Sequence, residues 1–143
     1  MTEVRDTVAK LIETCKDGQE GYRQAAENIK NLEYKSFFEQ QSAERGRFAS
    51  ELQEHITLES KDSGSVAGAA HRAWIGLKSK LGAGDEAILS SVEEGEDNAK
   101  HNYENALKIS LPAVLASIVQ RQYQNVKAAH DRVKVLRDST KAA

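Results

Sequence analysis

Residues 4–29, with the sequence VRDTVAKLIETCKDGQEGYRQAAENI, decide the fold class of this chain. Apolar or small residues recur there at alternating steps of four and three: Val4, Val8, Leu11, Cys15, Gly18, Tyr22, Ala25 and Ile29. Since an α-helix turns once in 3.6 residues, this spacing places them on one face and predicts a helix that packs along that face. The chain has only one proline in 143 residues, which is compatible with several such helices.

Three further stretches repeat the spacing. A second helix follows a tight connection at Asn31-Leu32, and its core-facing positions are Tyr34, Phe38, Gln41, Arg45, Phe48, Leu52 and Ile56. A third begins after an N-cap at Asp85, and its core-facing positions are Ile88, Val92, Glu96, Ala99, Tyr103 and Ala106. A fourth restarts at Pro112 and has Leu115, Val119, Gln122, Val126, His130, Val133 and Leu136 in the same positions. No stretch shows strand-like alternation, so the sequence predicts an all-α fold.

The connection between the second and third helices is long. Residues 59–65 are polar with Gly and Ser, which predicts a loop, and a shorter helix that contains Trp74 is expected near residues 65–81. Residues 82–84, Gly-Ala-Gly, should end that helix. A connection of this length favours a crossover along a bundle over a tight hairpin. We therefore expect one domain over residues 1–143, a four-helix bundle with a short extra helix in the crossover.

Composition narrows the possible partners and location. The chain has 20 Lys+Arg against 22 Asp+Glu, a formal net charge of −2, which argues against a nucleic-acid-binding protein. No apolar run approaches the ~20 residues of a membrane span, and the first residues do not resemble a secretory signal. The single cysteine, Cys15, cannot form an intrachain disulfide, which fits a reducing compartment. We expect a cytoplasmic protein with neither nucleic acid nor membrane as partner.

A weak internal repeat relates the two halves of the chain. Residues 15–25 and 96–106 share the same spacing of Tyr and Ala, and Arg45-x2-Phe48 matches Lys127-x2-His130. A repeated helical hairpin joined by a crossover is the layout of ferritin-like proteins.

Five segments of the sequence resemble segments found in one protein family. They are LIETCKDGQEGYRQAA, FFEQQSAERGRFASELQ, GSVAGAAHRAWIGLK, EEGEDNAKHNYENAL and QNVKAAHDRVKVLRD. Over about residues 4–138 the chain resembles a bacterial family of uncharacterised ferritin-like four-helix-bundle proteins, within the rubrerythrin and ferritin-like superfamily. The resemblance implies a ferritin-like fold, a bacterial origin and, by analogy, a link to stress or stationary-phase physiology.

The resemblance also locates the positions of a di-iron site. Ferritin-like metal proteins supply one Glu from each of the first and third helices and a Glu-x2-His pair from each of the second and fourth. Here these positions fall on Cys15, Arg45, Phe48, Glu96, Lys127 and His130. Only Glu96 and His130 keep a ligand side chain, and the two cations would repel iron ions. The resemblance thus implies a degenerate site, and we expect no cofactor and no enzymatic activity.

Two alternatives remain open. A metal-dependent oxidoreductase or metal store would bind iron or manganese through Glu96, His130, Glu20 and Glu44. A change of helical register would bring Glu20 or Glu44 inward, although Glu44 would then pair with Arg47 and not with a histidine. A carrier of a small molecule or cofactor in the bundle centre is the third possibility.

Without a metal, the same positions predict a buried, charge-compensated polar layer. Its expected members are Arg45, Glu96, Lys127, His130, Tyr22 and Tyr103. The two cations would neutralise the carboxylate, the histidine would be hydrogen-bonded in the core, and the tyrosine hydroxyls would each find a partner.

Other candidate residues receive structural interpretations. Cys15 is expected to be a small buried hydrophobe. His55, His71 and His101 are expected at the helix surface, and the acidic run 93–97 is expected to form a solvated face.

A second apolar stripe predicts self-association. Its expected members are Ile12, Phe37, Ile75, Leu89 and Ile118. Taken with the degenerate site, this stripe predicts a homodimer with a non-enzymatic structural or interaction role in bacterial stress physiology.

Overall fold

The computed structural model describes residues 2–56, 74 and 76–142. Within these ranges it contains four long α-helices: α1 (Thr2–Asn28), α2 (Leu32–Gln53), α3 (Asp85–Ala106) and α4 (Ala113–Ala142). No strand occurs in these ranges, so the predicted all-α four-helix bundle is confirmed. None of the described helices is long and apolar enough to cross a membrane.

The end of the crossover is helical. Trp74 and residues 76–80 are helical, and the chain turns at residues 81–84, where the sequence predicts the helix to end. The remainder of the helix predicted near residues 65–81, and the loop predicted at 59–65, lie outside the described residues. Gly84 precedes α3 with a φ of 106°, a left-handed conformation that glycine adopts without steric cost.

The start of α3 fixes the direction of the crossover. The Asp85 carboxylate accepts hydrogen bonds from the backbone N–H groups of Lys30 at 2.8 Å and Asn31 at 3.0 Å, in the turn between α1 and α2. Helix α3 therefore begins where α2 began, and these two helices run parallel, as expected for a crossover. The prediction that Asp85 is the N-cap is wrong, because Gly84 holds that position and the Asp85 side chain binds the neighbouring turn instead.

Each helix packs against antiparallel neighbours. Helix α1 packs against α2 and α3, while α4 packs closely against α3 and contacts α2 least. Two hydrophobic clusters fill the interior. The cluster nearer the α1–α2 turn includes Tyr22, Phe38, Trp74, Val92 and Val133. The cluster nearer the opposite end includes Cys15, Phe48, Ala99, Tyr103 and Val126.

The expected second apolar stripe is not a surface feature. Ile12 and Leu89 are completely buried, so neither belongs to an exposed face. Phe37 and Ile118 are half-buried against the two core clusters. Ile75 lies outside the described residues. The prediction fails because a bundle helix in contact with two neighbours buries more than one stripe.

Trp74 fills a slot between α1 and α3. It is 7% exposed, and its ring packs on Tyr22 with centroids 5.5 Å apart. A Cβ atom on Gly21 of α1 or on Gly95 of α3 would overlap the indole ring. The two glycines therefore supply the space that the crossover tryptophan occupies, and Trp74 covers the α1–α3 flank of the bundle.

The Gly95→Ala substitution tests this slot. Overpacking costs ~1–3 kcal/mol, which exceeds the ~1 kcal/mol that alanine gains over glycine in a helix. We expect a lower free energy of unfolding in urea and a red-shifted emission of Trp74, the only tryptophan.

Gly76→Ala is the matched control, because its nearest heavy atom would be 4.0 Å away. This control should keep the wild-type emission and gain up to ~1 kcal/mol. A Gly95→Ala variant with wild-type emission and stability would show that the tryptophan does not fill the slot.

Candidate functional site: a buried ion pair in the bundle core

An arginine–glutamate ion pair lies in the interior, midway along the bundle. Arg45 of α2 donates from Nη1 to Glu96 Oε1 and from Nη2 to Glu96 Oε2 of α3, both at 2.6 Å. The Arg45 and Glu96 side chains are 1% and 0% exposed. Bidentate pairs of this kind are the strongest form of a carboxylate–guanidinium contact. Both oxygens of the Glu96 carboxylate are therefore engaged by one guanidinium.

Small residues lie on the other two helices at the height of this pair. A Cβ atom on Gly18 of α1 would lie 3.1 Å from Arg45 Nη1, which is closer than ordinary packing allows. On α4 the residue between the core positions Val126 and Val133 is Ala129, which is 3% exposed. The contact between Asp97 and His130 places Ala129 at the height of Glu96 along the bundle, so these four residues mark the level between the two hydrophobic clusters.

The Tyr22 ring completes the surroundings of the guanidinium. Arg45 Cζ lies 5.4 Å from the Tyr22 ring centroid, within range of a cation–π contact. Burial raises the pKa of the Tyr22 hydroxyl well above its ordinary value, and the negative charge of Glu96 adds to this effect. The tyrosine is therefore a neutral neighbour of the ion pair.

The guanidinium stays charged in spite of its burial. Burial by itself would lower the pKa of Arg45, but the charge and hydrogen bonds of Glu96 outweigh it and raise that pKa. Among the described residues Arg45 Nε has no hydrogen-bond partner. Nε is thus the one donor of the buried guanidinium that the contacts of the described residues leave unsatisfied.

A second polar network lies one layer closer to the end of the bundle. Tyr103 donates to Gln122 Oε1 at 2.7 Å, and the Cys15 sulfur lies 3.0 Å from the Tyr103 hydroxyl. Because the Tyr103 proton is used on Gln122, the Cys15 thiol is the donor to Tyr103. Gln122 Nε2 donates to Glu51 Oε1 at 2.9 Å, and Glu51 forms an ion pair with Arg121 at the surface.

Burial makes the Cys15 thiol inert. It raises the pKa of Cys15 to about 11, although the charge of Arg45 acts to lower it. A thiol is nucleophilic only when ionised, and this one is both un-ionised and shielded near neutral pH. The structure thus places Cys15 in the core as a small buried side chain.

Two predicted members of the polar layer lie elsewhere. The Lys127 side chain is 47% exposed and pairs with Asp131 at 3.2 Å, so its predicted place beside Glu96 is wrong. His130 lies at the flank, 12% exposed, with Nε2 2.5 Å from Asp97 Oδ1. The remaining four members, Arg45, Glu96, Tyr22 and Tyr103, are all buried. The prediction that both tyrosine hydroxyls find a partner is correct for Tyr103 and wrong for Tyr22, whose hydroxyl has none among the described residues.

The identity of one core-facing residue on α4 explains the difference. Its core-facing residues include Val126, Ala129 and Val133, whereas the sequence pattern placed His130 between the two valines. Successive residues of a helix point about 100° apart. With residue 129 facing the core, Lys127 and His130 both point away from the core centre. The core counterpart of Arg45-x2-Phe48 is therefore Val126-x2-Ala129, one residue earlier than predicted.

The alternative metal ligands do not converge. Glu20 is exposed and bound to Arg23, and Glu44 pairs with Arg47. Glu96 is fully engaged by Arg45, while His130 faces Asp97. Each of these four residues is paired with a different partner, and they do not face a common point. The side chains present therefore do not fit a di-iron centre in the core.

Several polar residues of the core and flank were not predicted from the sequence. The sequence pattern places Gln122 at a core-facing position without a partner, and it gives no reason to place Glu51 beside it. The acidic run was expected to be a solvated face, yet Glu93 is largely buried and pairs with Arg137. A polar residue at a core-facing position was the available signal for Gln122. His55 and His101 are exposed as predicted, and His71 lies outside the described residues.

Fold and site together define an all-α four-helix bundle with an ion pair across its core. The family model described as "Domain of unknown function (DUF2383)" matches residues 3–109, well over half of the chain. The chain belongs to this family. The match covers α1 to α3 and ends before α4, so Arg45 and Glu96 lie within it and His130 lies outside it. No curated protein matches the chain.

Replacing the ion pair tests its energetic coupling. Arg45→Met or Glu96→Met alone should cost ~3–5 kcal/mol of unfolding free energy, because each leaves a buried charge without its partner. The double substitution should cost far less than the sum. Urea unfolding followed by circular dichroism measures all three values.

The exposed pair Arg47 and Glu44 provides the matched control. The same methionine substitutions there should change stability by no more than ~1 kcal/mol. Additive losses for the Arg45 and Glu96 substitutions would contradict the assignment of a coupled buried pair.

Labelling of Cys15 with a thiol reagent tests its burial. A pKa of about 11 in place of 9.0 lowers the thiolate fraction near neutral pH by roughly 100-fold. We expect the native chain to react at least that much more slowly than the urea-unfolded chain at the same pH.

The raised pKa also affects alkaline stability. The folded state favours the protonated thiol, so this contribution is complete below pH 9.0 and is lost as the pH rises to about 11. Equal labelling rates in the native and unfolded chains would contradict both expectations.

Proposed function

We propose that this protein is a ferritin-like bundle without a catalytic metal centre, which acts as a structural or interaction protein. The observation that carries the proposal is the bidentate Arg45–Glu96 pair at 2.6 Å in the core. In metal-binding ferritin-like proteins, carboxylates and histidines from the four helices project into this central region.

The chemistry of the pair opposes a metal ion at this place. An arginine guanidinium is not deprotonated in proteins, so Arg45 stays positively charged and repels a metal ion that approaches Glu96. Binding to Glu96 would require a metal to displace two charge-assisted hydrogen bonds and to lie next to a positive charge without solvent screening. The guanidinium therefore supplies the charge compensation that iron supplies in the metal-binding proteins.

The interaction role is proposed for the outer surface. Leu32 at the start of α2 and Val135 near the end of α4 are apolar and well exposed, at the same end of the bundle. Two such residues on neighbouring helices suit the centre of a contact with a second copy, and we propose a homodimer. A bacterial origin, a cytoplasmic location and a role in stress physiology belong to this proposal through the family resemblance and the single cysteine.

Metal analysis tests the absence of a core metal centre. Untagged protein is prepared with iron and manganese supplied and without chelators, in wild-type and Glu96→Gln forms. We expect the metal content to be the same in both, because Glu96 binds Arg45 and no metal. Near-stoichiometric iron or manganese that is lost on Glu96→Gln would overturn the proposal.

Light scattering on the same preparations tests the dimer. Wild-type protein should have twice the mass of one chain, and Val135→Glu should shift the equilibrium toward the monomer. A wild-type protein that is monomeric at all concentrations would contradict the homodimer. It would not affect the proposal that the core has no metal centre, which the metal analysis tests.

A further inference from the structure

Three side chains with metal-ligating atoms meet on the flank between α3 and α4. Glu93 and Asp97 are four residues apart on α3, which places both carboxylates on one face of the helix. His130 of α4 faces them, and one ligand atom from each of the three residues lies within 4.8 Å of the others. This group, the flank cluster, lies outside the core and shares no residue with the Arg45–Glu96 pair.

The histidine of the flank cluster is held in a defined orientation. Its Nδ1 lies 3.0 Å from Asp131 Oδ1, while Nε2 points to Asp97. Asp131 is itself bound by Lys127 at 3.2 Å. Metal-binding histidines characteristically place their second ring nitrogen against a carboxylate, which fixes the tautomer and the direction of the ring. With Nδ1 donating to Asp131, Nε2 faces the two carboxylates of α3: it donates to Asp97 in the metal-free protein, and a bound metal ion takes the place of that proton.

Two side chains of the flank cluster are largely buried, and the third is exposed to solvent. The His130 and Glu93 side chains are each 12% exposed, whereas Asp97 is 60% exposed. A cation bound here would be anchored on the buried side by an imidazole and a carboxylate and would remain open to water at Asp97. Three protein ligands with an open position, of mixed nitrogen and oxygen type, are the donor set of zinc-like divalent ions.

We propose that Glu93, Asp97 and His130 bind one divalent transition-metal ion of the zinc class. The ligand atoms are Nε2 of the histidine and one oxygen from each carboxylate. In the described structure Nε2 and Asp97 Oδ1 are hydrogen-bonded to each other, so the ion inserts between them and separates them to coordination distance.

Arg137 of α4 is the competing cation. Its Nη1 pairs with Glu93, and its Nη2 lies 3.2 Å from Asp138. When a metal ion takes Glu93, the guanidinium can leave that carboxylate and keep its contact with Asp138. The positive charge of Arg137 therefore compensates Glu93 in the metal-free protein and weakens metal binding.

Cobalt(II) titration of untagged full-length protein tests the site, with visible absorption as the readout and zinc as the displacing ion. Wild type should bind one cobalt ion, which zinc displaces. His130→Ala and Asp97→Asn should each weaken binding by more than ~10-fold, since even the outer partners of metal ligands contribute about 10- to 100-fold. Arg137→Gln should strengthen binding, because it removes the competing charge.

Two further variants distinguish the flank cluster from unspecific cobalt binding at surface histidines. His55→Ala removes an exposed histidine near the end of α2 and should leave the cobalt affinity unchanged. Asp131→Asn should weaken binding by ~10- to 100-fold through the orientation of His130. Circular dichroism of every variant confirms that the bundle is folded.

The results that overturn the inference are distinct from those that overturn the proposed function. No cobalt spectrum in wild type, or a His130→Ala affinity equal to that of His55→Ala, would exclude the flank site. Loss of binding on Glu96→Gln with full retention on His130→Ala would locate the metal in the core and would contradict both proposals.

Discussion

The bidentate contact between Arg45 and Glu96 is the constraint on which the centre of this bundle depends. Two charges completely removed from water must satisfy each other, because neither can reach solvent. Gly18 leaves room for the guanidinium, since a Cβ atom there would lie 3.1 Å from Arg45 Nη1, and the buried Ala129 lies at the same level of α4. The ion pair thus divides the core into two hydrophobic clusters.

The packing of α4 separates two kinds of chemistry. Ala129 is buried at the level of the ion pair, while the neighbouring His130 lies at the flank and meets the carboxylates of α3. Lys127 moves outward with it and binds Asp131 behind the histidine. The centre is thereby closed by an internal charge pair, while the α3–α4 flank combines metal-ligating groups with access to water.

The crossover contributes to the same arrangement through Trp74. Its ring lies between α1 and α3 where Gly21 and Gly95 leave space, and it contacts Tyr22, the aromatic neighbour of Arg45. A residue from the connection therefore shields the layer around the ion pair from one side. The glycines within these helices follow from close approach, since an added Cβ would overlap the indole.

The sequence by itself determined the four helices, their all-α class and the core-facing positions of α1, α2 and α3, because helical periodicity and caps are local properties. It also placed Arg45 and Glu96 on inward faces. Only the tertiary structure decided between residues 129 and 130 on α4, since both fit an amphipathic pattern and only the packing of α4 against its neighbours distinguishes them. For the same reason the flank cluster could not be predicted, because it joins residues 93 and 97 to residue 130 across two helices.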